Sequence, residues 1–410
     1  MKKICILSTR HISYNPRVLK EADALCAKGY EVTVVTISNQ PRQSAFDEEL
    51  MQRRKWKLHT VNFRKERPDE RWYWFRLSLK QRFFLFLSKI SFKGGIAERA
   101  AEKAFDPLLR LARAVKADLY IVHHAEALGA GYTAARDNKA GFGFDAEDFH
   151  TGMNESATGQ GPDKMIAWLE GKYLPHCTYL TAASKGIGAA YRNKYRIREP
   201  GIILNVFPFE DLPVREPREP VKFYWYSQVI GPNRGLELLL EAAAKITLPF
   251  EIHLRGSLYS DDYKNKLEEL SGKSGLRDRL FLHEPILAAQ LISDANRFDV
   301  GLALESDISV NRNICVTNKV FSYLMSRLLI IGTDTEGQKD IFSHFPDASR
   351  IVRKKDAEDL SEAMQFYIIH KDRLMEAKTA AASAVKRSFN WELESQKLLG
   401  YIEETLCRKF

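Results

Sequence analysis

The first part of the chain alternates strand, helix and strand, and no other feature constrains the fold as much. The run KKICILS has the length and apolar content of a buried strand, and YEVTVVTI repeats that character after one helix. Between them, Asn15 is placed to cap a helix, Pro16 takes its first position and Gly29 ends it. A strand, a helix and a second strand in this order are typical of the βαβ unit of a doubly wound α/β sheet.

The remaining sequence repeats this alternation on both sides of a proline-rich segment. At 410 residues the chain is longer than one hydrophobic core usually supports, which favours two domains. FPFEDLPVREPREP, residues 207–220, has the composition of an extended linker. We therefore predict an α/β fold with two Rossmann-like doubly wound domains, residues 1–206 and 221–388, facing across a cleft. Further strands are predicted at DLYIVHH, GFGFDAED, TYLTAAS, GIILNV, VKFYWYS, FEIHLRGS, FDVGLALE and LLII, and NRGLELLLEAAAKI is predicted to be a helix capped by Asn233.

Several protein classes are excluded by what the sequence lacks. The loop STRHISYN after the first strand contains no glycine, so the phosphate-cradling fingerprint of nicotinamide and flavin enzymes is absent. No stretch reaches the ~18 uninterrupted apolar residues of a membrane span, and MKKICILSTR turns polar too soon for a secretory signal. We therefore expect a cytoplasmic protein. The five cysteines are widely separated, which predicts reduced packing residues and neither a disulfide framework nor a zinc site.

Positive charge is concentrated in residues 53–93, which are also rich in aromatic side chains. This segment holds thirteen Lys or Arg and three acidic residues, whereas the rest of the chain is nearly neutral within a net charge of +9. Cations interleaved with aromatic rings suit an anionic membrane surface. This composition predicts a peripheral location on the inner face of the plasma membrane. The same composition also suits single-stranded nucleic acid. A helical pair with aromatic residues in the core and solvated charges is a third explanation.

An anion site is predicted at two strand-to-helix turns in the second half of the chain. In CVTNKVFSYLMSRLLIIGTD, Thr317 or Asn318 can cap a helix, and Lys319 adds a full charge beside the N–H groups of its first turn. In YSQVIGPNRGLELLLEA, Arg234 lies at another such turn, between glycines that permit close backbone approach. Guanidinium, ammonium and helix-start amides in one crevice would neutralise a diphosphate. Each turn taken alone also fits an ordinary helix start with a solvated cation.

These motifs together resemble those of a known enzyme family. Nearly the whole chain is similar to the retaining glycosyltransferases of the two-domain GT-B fold, in glycosyltransferase family 4. The closing SFNWELESQKLLGYIEETL resembles the family's final helix, which implies that residues 389–410 cross back onto the first domain. The similarity also includes YNPRVLKEADALCAKGYEVTVVT, HHAEAL, FDAED, TAASKGI, ILNVF, SQVIGPNRGLELL and TNKVFSYLMSRLLIIGTD.

The resemblance implies a donor site in the second domain and an acceptor side in the first. Arg234 and Lys319 would act on the leaving diphosphate, and His123 would contact the donor sugar or the reacting hydroxyl, as a matching family histidine does. A lone histidine at a strand end is also explained by packing or capping. The resemblance further implies donor contacts from Ser227, Gln228, Gly231, Gly235, Arg255, Glu305, Thr317, Asn318 and Ser322, and acceptor-side roles for Asn15, Arg17 and Asp145.

The sequence also departs from the family pattern. The family carries two glutamates that touch the ribose and the transferred sugar, and the corresponding residues here are Ile314 and Ser322. Gln228 stands where an arginine is expected, so the charge for phosphate rests on the two cations named above, with Arg255 as a further candidate. Glu305 is the nearest carboxylate that could bind a sugar hydroxyl instead. A solvent-exposed acid at a strand end is the alternative for Glu305.

The implied reaction transfers a hexose-like sugar from a nucleoside diphosphate sugar to a hydroxyl of a glycan or lipid-linked acceptor, with retention, in cell-surface polysaccharide or glycan assembly. Preorganised cations and helix amides stabilise a departing diphosphate without a metal, so we expect neither a metal nor a cofactor beyond the donor. Because the family glutamates are missing, a sugar-nucleotide-binding protein without transferase activity is the first alternative. A sugar-nucleotide epimerase is disfavoured by the scarcity of carboxylates. A nucleic-acid partner is disfavoured by the neutral remainder of the chain.

Overall fold

The computed structural model describes residues 1–153 and 162–407. The chain divides into two compact units, which we call the N-terminal domain and the C-terminal domain. The N-terminal domain comprises Met1–Leu204 and Ser395–Phe410, and the C-terminal domain comprises Asn205–Glu394.

The domain boundaries differ slightly from the predicted ones. The first falls after Leu204, two residues before the predicted end at 206. Residues 207–220 form neither helix nor strand, and they belong to the C-terminal domain. The final helix, Trp391–Cys407, passes from the C-terminal to the N-terminal domain at Ser395.

The N-terminal domain is built on one parallel sheet of seven strands. The strands are β1 Lys3–Leu7, β2 Glu31–Ser38, β3 Lys57–Asn62, β4 Leu119–Val122, β5 Gly141–Ala146, β6 Tyr179–Ala182 and β7 Gly201–Ile202. They lie in the order β3-β2-β1-β4-β5-β6-β7. Nearly every residue of β1, β2, β4, β5 and β6 is buried, as expected for a parallel sheet covered on both faces.

The C-terminal domain is built on a parallel sheet of six strands. These are β8 Val221–Ile230, β9 Phe250–Leu258, β10 Leu280–His283, β11 Val300–Ala303, β12 Leu329–Thr333 and β13 Ser349–Val352, in the order β10-β9-β8-β11-β12-β13. Its core packs apolar side chains of these strands, including the fully buried Trp225, against the surrounding helices.

Helices connect the strands in both domains. No helix among the described residues is long and apolar enough to cross a membrane. Short 3-10 turns lie at Ile12–Tyr14, Ala125–Ala127, His150–Gly152, Leu174–His176, Arg277–Arg279, Ala288–Gln290 and Pro346–Ala348. The α-helices are α1 Pro16–Ala27, α2 Pro41–Met51, α3 Pro68–Ser88, α4 Ile96–Ala101, α5 Phe105–Ala114, α6 Leu128–Asp137, α7 Pro162–Tyr173, α8 Lys185–Tyr195, α9 Leu236–Ala243, α10 Asp261–Lys273, α11 Leu291–Ala295, α12 Val310–Ile314, α13 Asn318–Met325, α14 Glu336–Phe342, α15 Ala357–Ile369, α16 Lys371–Arg387 and α17 Trp391–Cys407.

The βαβ unit predicted from the first residues is confirmed. The Asn15 side chain accepts a hydrogen bond from the Val18 amide at 3.1 Å, and Pro16 opens α1. Gly29, just beyond the helix, has a φ of +97°, which glycine adopts without strain. Strands β1 and β2 then pair in parallel.

One prediction about local structure is wrong, and three strands were missed. Asn233 does not cap α9, because Asn233 and Gly235 both have positive φ and the helix begins only at Leu236. Strands β3, β10 and β13 were not predicted. All three lie at the ends of their sheets and are only partly buried; β3 and β13 mix polar with apolar residues, and the apolar run of β10 is only three residues long.

Candidate functional site

The candidate site lies at the carboxyl ends of β8 and β11, the two central strands of the C-terminal sheet. From β8 the strand order runs outward to β10, and from β11 it runs outward to β13 in the other direction. Ligands of doubly wound sheets bind where the winding reverses in this way. The polar side chains at this position, which we call the switch-point cluster, are Ser227, Arg234, Glu305, Arg312, Thr317 and Lys319.

Glu305 is the centre of the switch-point cluster. Its Oε1 accepts hydrogen bonds from Lys319 Nζ at 2.7 Å and from Thr317 Oγ1 at 3.3 Å, and Arg312 Nη1 lies 3.9 Å from Oε2. Burial is the largest single influence and raises the pKa of this carboxyl, but the charge and hydrogen bond of Lys319, the charge of Arg312 and the hydrogen bond of Thr317 together outweigh burial and lower the pKa. Glu305 is therefore an ionised carboxylate that holds the lysine in place, and it is not the solvent-exposed acid of the alternative interpretation.

Lys319 is correspondingly well positioned. Its side chain is 12% exposed, and Nζ lies 5.2 Å from the centroid of the Trp225 ring. Thr317 precedes α13, but its hydroxyl turns to Glu305 and does not cap a helix N–H group. Of the two predicted caps, Thr317 does hold the N-cap position of α13, but it makes no side-chain hydrogen bond to the helix.

Arg234 enters the cluster from the turn before α9. Its Nη1 donates to Ser227 Oγ at 2.8 Å. Burial lowers the pKa of Arg234, and the neighbouring charge of Arg312 lowers it further. The turn is held close to β11 by Gly235, because a Cβ added there would lie 2.6 Å from Leu304 Cβ.

The switch-point cluster therefore has an excess of positive charge. Three cations, Arg234, Arg312 and Lys319, lie near one carboxylate, and α9 and α13 begin beside them. Helix starts add unpaired N–H groups and the positive end of the helix dipole. An anion with two or more charges, such as a diphosphate, matches this arrangement.

Arg255 does not join the cluster. Its Nε donates to Tyr224 Oη at 3.1 Å, its Nη1 to the Glu284 carbonyl at 2.6 Å and its Nη2 to Asp294 at 2.7 Å. All three nitrogens are thus used within the fold. Among the described residues its only ion pair is with Asp294, and the predicted phosphate contact from Arg255 stays a prediction.

The remaining predicted donor residues differ in their surroundings. Ser322 Oγ is fully buried, 2.9 Å from Tyr226 Oη and 2.8 Å from the Lys319 carbonyl. Ser322 is thus packed within the domain, and its predicted donor contact stays a prediction. Gln228 and Asn318 are exposed, and Gly231 packs against Tyr259.

The predicted acceptor-side residues meet in a buried polar network of the N-terminal domain. Arg17 donates to both oxygens of Asp145, at 2.5 and 2.8 Å, and to the Ile203 carbonyl at 2.7 Å. Thr181 donates to Asp145, and Asn15 donates to Glu147, both at 2.8 Å. The structure brings Asn15, Arg17 and Asp145 together in an internal network in which all three side chains are buried, and their acceptor-side roles stay predictions.

His123 belongs to the same network. Its Nδ1 lies 2.9 Å from Glu147 Oε1, and its Nε2 lies 2.7 Å from Glu21 Oε2. Burial alone would lower its pKa, but the charge of Glu21 and the hydrogen bond with Glu147 raise the pKa of His123 to about 10. His123 is fully buried within this network, which fits the packing interpretation. Its predicted catalytic role stays a prediction.

The described residues contain one group whose atoms could surround a metal ion. Ligand atoms of Glu21, His123 and Asp145 lie within 4.8 Å of one another. However, the Arg17 guanidinium already occupies both oxygens of Asp145, and a protonated histidine is not a metal ligand. These residues fit a charged hydrogen-bond network and do not fit a metal site.

Sequence reasoning missed three residues of these clusters. Arg312 comes from the five-residue helix α12, whose sequence carries no phosphate motif. Glu21 and Glu147 had a usable signal: Glu21 follows Arg17 by one helical turn, and Glu147 follows Asp145 by two residues. Each spacing places the glutamate on the same side of the chain as the polar residue that was predicted, Arg17 in one case and Asp145 in the other.

Comparison with known proteins finds similarity in structure only. No protein-family model matches the chain, and no curated protein matches its sequence. HepE of Anabaena, solved in complex with UDP, superposes with a TM-score of 0.69 at 12% identity, covering 98% of this chain and 100% of its own. A glycosyltransferase from Rickettsia africae ESF-5 gives 0.70 at 14% identity, covering 99% of each chain.

A third similar structure is a mutant of TarM from S. aureus, solved with fondaparinux, alpha-GlcNAc-glycerol and UDP. Its TM-score is 0.68 at 11% identity, over 98% of this chain and 99% of its own. These similarities show that the chain has the GT-B fold, and the predicted pair of doubly wound domains is confirmed. The predicted cleft between the domains stays a prediction.

Proposed function

We propose that this chain, which has the GT-B fold of glycosyltransferases, transfers a sugar from a nucleoside diphosphate sugar to an acceptor hydroxyl. The observation that carries the proposal is the switch-point cluster. Its three cations and one carboxylate leave an excess of positive charge beside two helix starts. A diphosphate leaving group needs this kind of charge at the ligand-binding edge of a doubly wound sheet.

The chemical step follows from the charges of the cluster. As the bond from the sugar to the diphosphate breaks, negative charge grows on the phosphate oxygens. Arg234, Arg312 and Lys319 stabilise that charge, and Glu305 keeps the Lys319 ammonium in position without reorganisation during the reaction. Because these cations supply the charge that a divalent metal would otherwise supply, we propose a metal-independent reaction. Activity should then persist in EDTA.

Retention at the anomeric carbon is part of the proposal. Among the described residues, Glu305 is the only carboxylate in an ion pair with Arg234, Arg312 or Lys319, and it is committed to Lys319. The cluster therefore offers no free carboxylate as a base, and the leaving phosphate is the proposed proton acceptor for the incoming hydroxyl. Product stereochemistry, read by NMR from the anomeric coupling, tests this step.

The proposed acceptor is a glycan or a lipid-linked sugar, in cell-surface polysaccharide or glycan assembly. Support comes from the alpha-GlcNAc-glycerol bound to TarM, whose fold this chain shares. A hexose is the proposed transferred unit. Transfer assays with a panel of UDP, GDP and dTDP hexoses, against glycan and lipid-linked acceptors, test both points.

A sugar-nucleotide-binding protein without transferase activity is the second candidate. It is favoured by Ile314 and Ser322, which stand where the similar family has its glutamates and which are both buried. Donor binding without hydrolysis or transfer across the panel would support this candidate.

Calorimetric titration with UDP, GDP and dTDP tests the binding step. We expect Arg234→Ala and Arg312→Ala each to weaken the best nucleotide by roughly 10-fold or more, since charge-assisted bonds contribute about 1.5–3 kcal/mol each. Arg350→Ala is the matched control, because Arg350 is an exposed arginine on β13 of the same domain. Unchanged affinity in both cluster variants would overturn the proposed donor site.

A further inference from the structure

The helix α3 turns large apolar side chains toward solvent. The structure describes all 21 of its residues, and only Leu77 among them is buried. Residues spaced by three or four positions share one face of a helix. The exposed residues that follow this spacing, which we call the α3 stripe, are 47% to 79% exposed: Trp72, Phe75, Leu79, Phe83, Phe86 and, just past the helix end, Ile90.

Cations border the α3 stripe on both sides. Residues 71–93 contain six Lys or Arg and no acidic residue. At helical spacing, Arg76 and Lys80 lie along one border of the stripe, and Arg82 and Lys89 lie along the other. Lys80 pairs with Asp106 at 2.5 Å, whereas no ion pair to Arg76, Arg82 or Lys89 exists within the described part of the chain. These charges therefore face solvent, beside the exposed rings.

We propose that α3 docks the protein on a lipid bilayer with anionic headgroups. The helix lies in the plane of the interface, with the α3 stripe among the upper acyl chains and the bordering cations among the phosphates. An interfacial helix places its apolar face ~5–10 Å deep, and the α3 stripe runs along a helix ~31 Å long. This docking goes beyond sugar transfer and does not depend on the proposed donor site.

Charge and shape favour a bilayer over other occupants. A second copy of α3 would bring together two segments, residues 71–93 of each chain, that hold six cations and no acidic residue, which opposes pairing. Single-stranded nucleic acid is bound by aromatic platforms within a basic groove, but the α3 stripe lies on the outer face of one helix. Leu79 and Ile90 offer no ring for a base to stack on. Aromatic, aliphatic and cationic side chains together match an interface of acyl chains and phosphates.

Vesicle co-sedimentation tests the proposal with the full chain. The vesicles are phosphatidylcholine alone, and phosphatidylcholine mixed with phosphatidylglycerol. We expect the protein to bind the anionic vesicles and to dissociate as salt is raised. Phe75→Ser/Phe83→Ser/Phe86→Ser should weaken binding by roughly 100-fold or more, because three rings no longer leave water. Arg76→Glu/Arg82→Glu/Lys89→Glu should weaken it by at least ~100-fold, at about fivefold for each positive charge lost.

Two controls separate docking from general surface effects. Phe366→Ser/Ile369→Ser removes exposed apolar side chains from the other domain, and Lys264→Glu/Lys273→Glu/Lys339→Glu makes the same change in net charge there. Both control variants should retain a clear preference for anionic vesicles. Thermal unfolding should show the same transitions in all variants, which shows that each variant is folded.

Trp72 provides a local readout of insertion. Its fluorescence should shift to the blue and be quenched by brominated lipid on anionic vesicles, and the quenching should disappear in Trp72→Phe. Three outcomes would overturn the proposal. These are equal binding by the wild type and the α3 variants, stripe-dependent self-association without vesicle binding, and stripe-dependent binding of a single-stranded oligonucleotide with no vesicle binding.

Discussion

Replacing Lys319 should damage two separate properties, and only one of them should be recoverable. In the C-terminal domain this ammonium lies 2.7 Å from Glu305, with both side chains largely buried. Lys319→Met keeps the length of the side chain but leaves the Glu305 carboxylate buried without its partner. Adding Glu305→Gln removes the orphaned charge. The double variant should therefore regain stability, but it should not regain nucleotide affinity.

The expected magnitudes follow from the geometry of this ion pair. At the 2.7 Å separation, the attraction is about 6 kcal/mol for an effective dielectric constant of about 20. Desolvation offsets part of this attraction, so loss of one partner of a buried pair costs about 3–5 kcal/mol of unfolding free energy. For a domain of this size, that loss lowers the melting temperature by roughly 6–20 °C. The double variant should lie within about 1–2 kcal/mol of the wild type, because matched neutral side chains replace the pair.

Thermal unfolding and nucleotide titration on the same four proteins measure the two effects. The C-terminal transition is identified as the one that a saturating nucleotide shifts upward. Lys319→Met and the double variant should both bind nucleotide about 10- to 100-fold more weakly, since one charge-assisted contact is lost. Lys339→Met, at an exposed lysine of the same domain, should change neither quantity.

Two results would refute this reasoning. If the double variant has the same low melting temperature as Lys319→Met, then Lys319 does not stabilise the domain through its ion pair with Glu305. If the double variant binds nucleotide like the wild type, Lys319 does not contact the diphosphate and the switch-point cluster is a structural network.

Two further predictions concern the N-terminal network and the turn before α9. Because His123 has a folded pKa of about 10 against 6.5 for a free imidazole, its stabilisation is complete below pH 6.5 and is lost as pH rises toward 10. Denaturation of the wild type should show a decline approaching ~1.4 kcal/mol per pH unit within that window, and His123→Gln should show a clearly flatter profile. Gly235→Ala should cost roughly 2–4 kcal/mol, because it combines positive-φ strain with a 2.6 Å approach to Leu304. Gly275 also has positive φ, but open space surrounds the position of an added Cβ, so Gly275→Ala should lose only the unfolding free energy that corresponds to backbone strain. Equal losses of unfolding free energy in the two variants would refute the packing argument.

The sequence predicted the central elements of the fold because their signals are local. The start of α1 needs only Asn15 and Pro16 in consecutive positions, and β1 and β2 are continuous apolar runs. The edge strands β3, β10 and β13 were not predicted, because β3 and β13 mix polar with apolar residues and the apolar run of β10 is only three residues long. These strands form because a neighbouring strand supplies hydrogen bonds. The local sequence does not show that pairing.

The candidate site was predictable in part for the same reason. Arg234 and Lys319 stand at strand-to-helix turns, and such turns bind anions by local geometry. Whether a charged residue at such a turn is free or paired depends on residues that are distant in the sequence. Arg255 looked like a phosphate ligand from its sequence position, yet the fold places Asp294 against it at 2.7 Å. The family resemblance likewise implied a sugar or hydroxyl contact for His123, but α1 places Glu21 2.7 Å from its ring.

The sequence by itself determined which residues can form helices, strands and charged turns, because those choices depend on neighbours a few positions away. It also determined the spacing of the α3 stripe. Only the tertiary structure decided which cations remain unpaired and which apolar face of α3 is left to solvent. Pairing and burial depend on side chains brought together from distant parts of the chain, as with Glu305 and Lys319, and that proximity exists only once the sheet has formed.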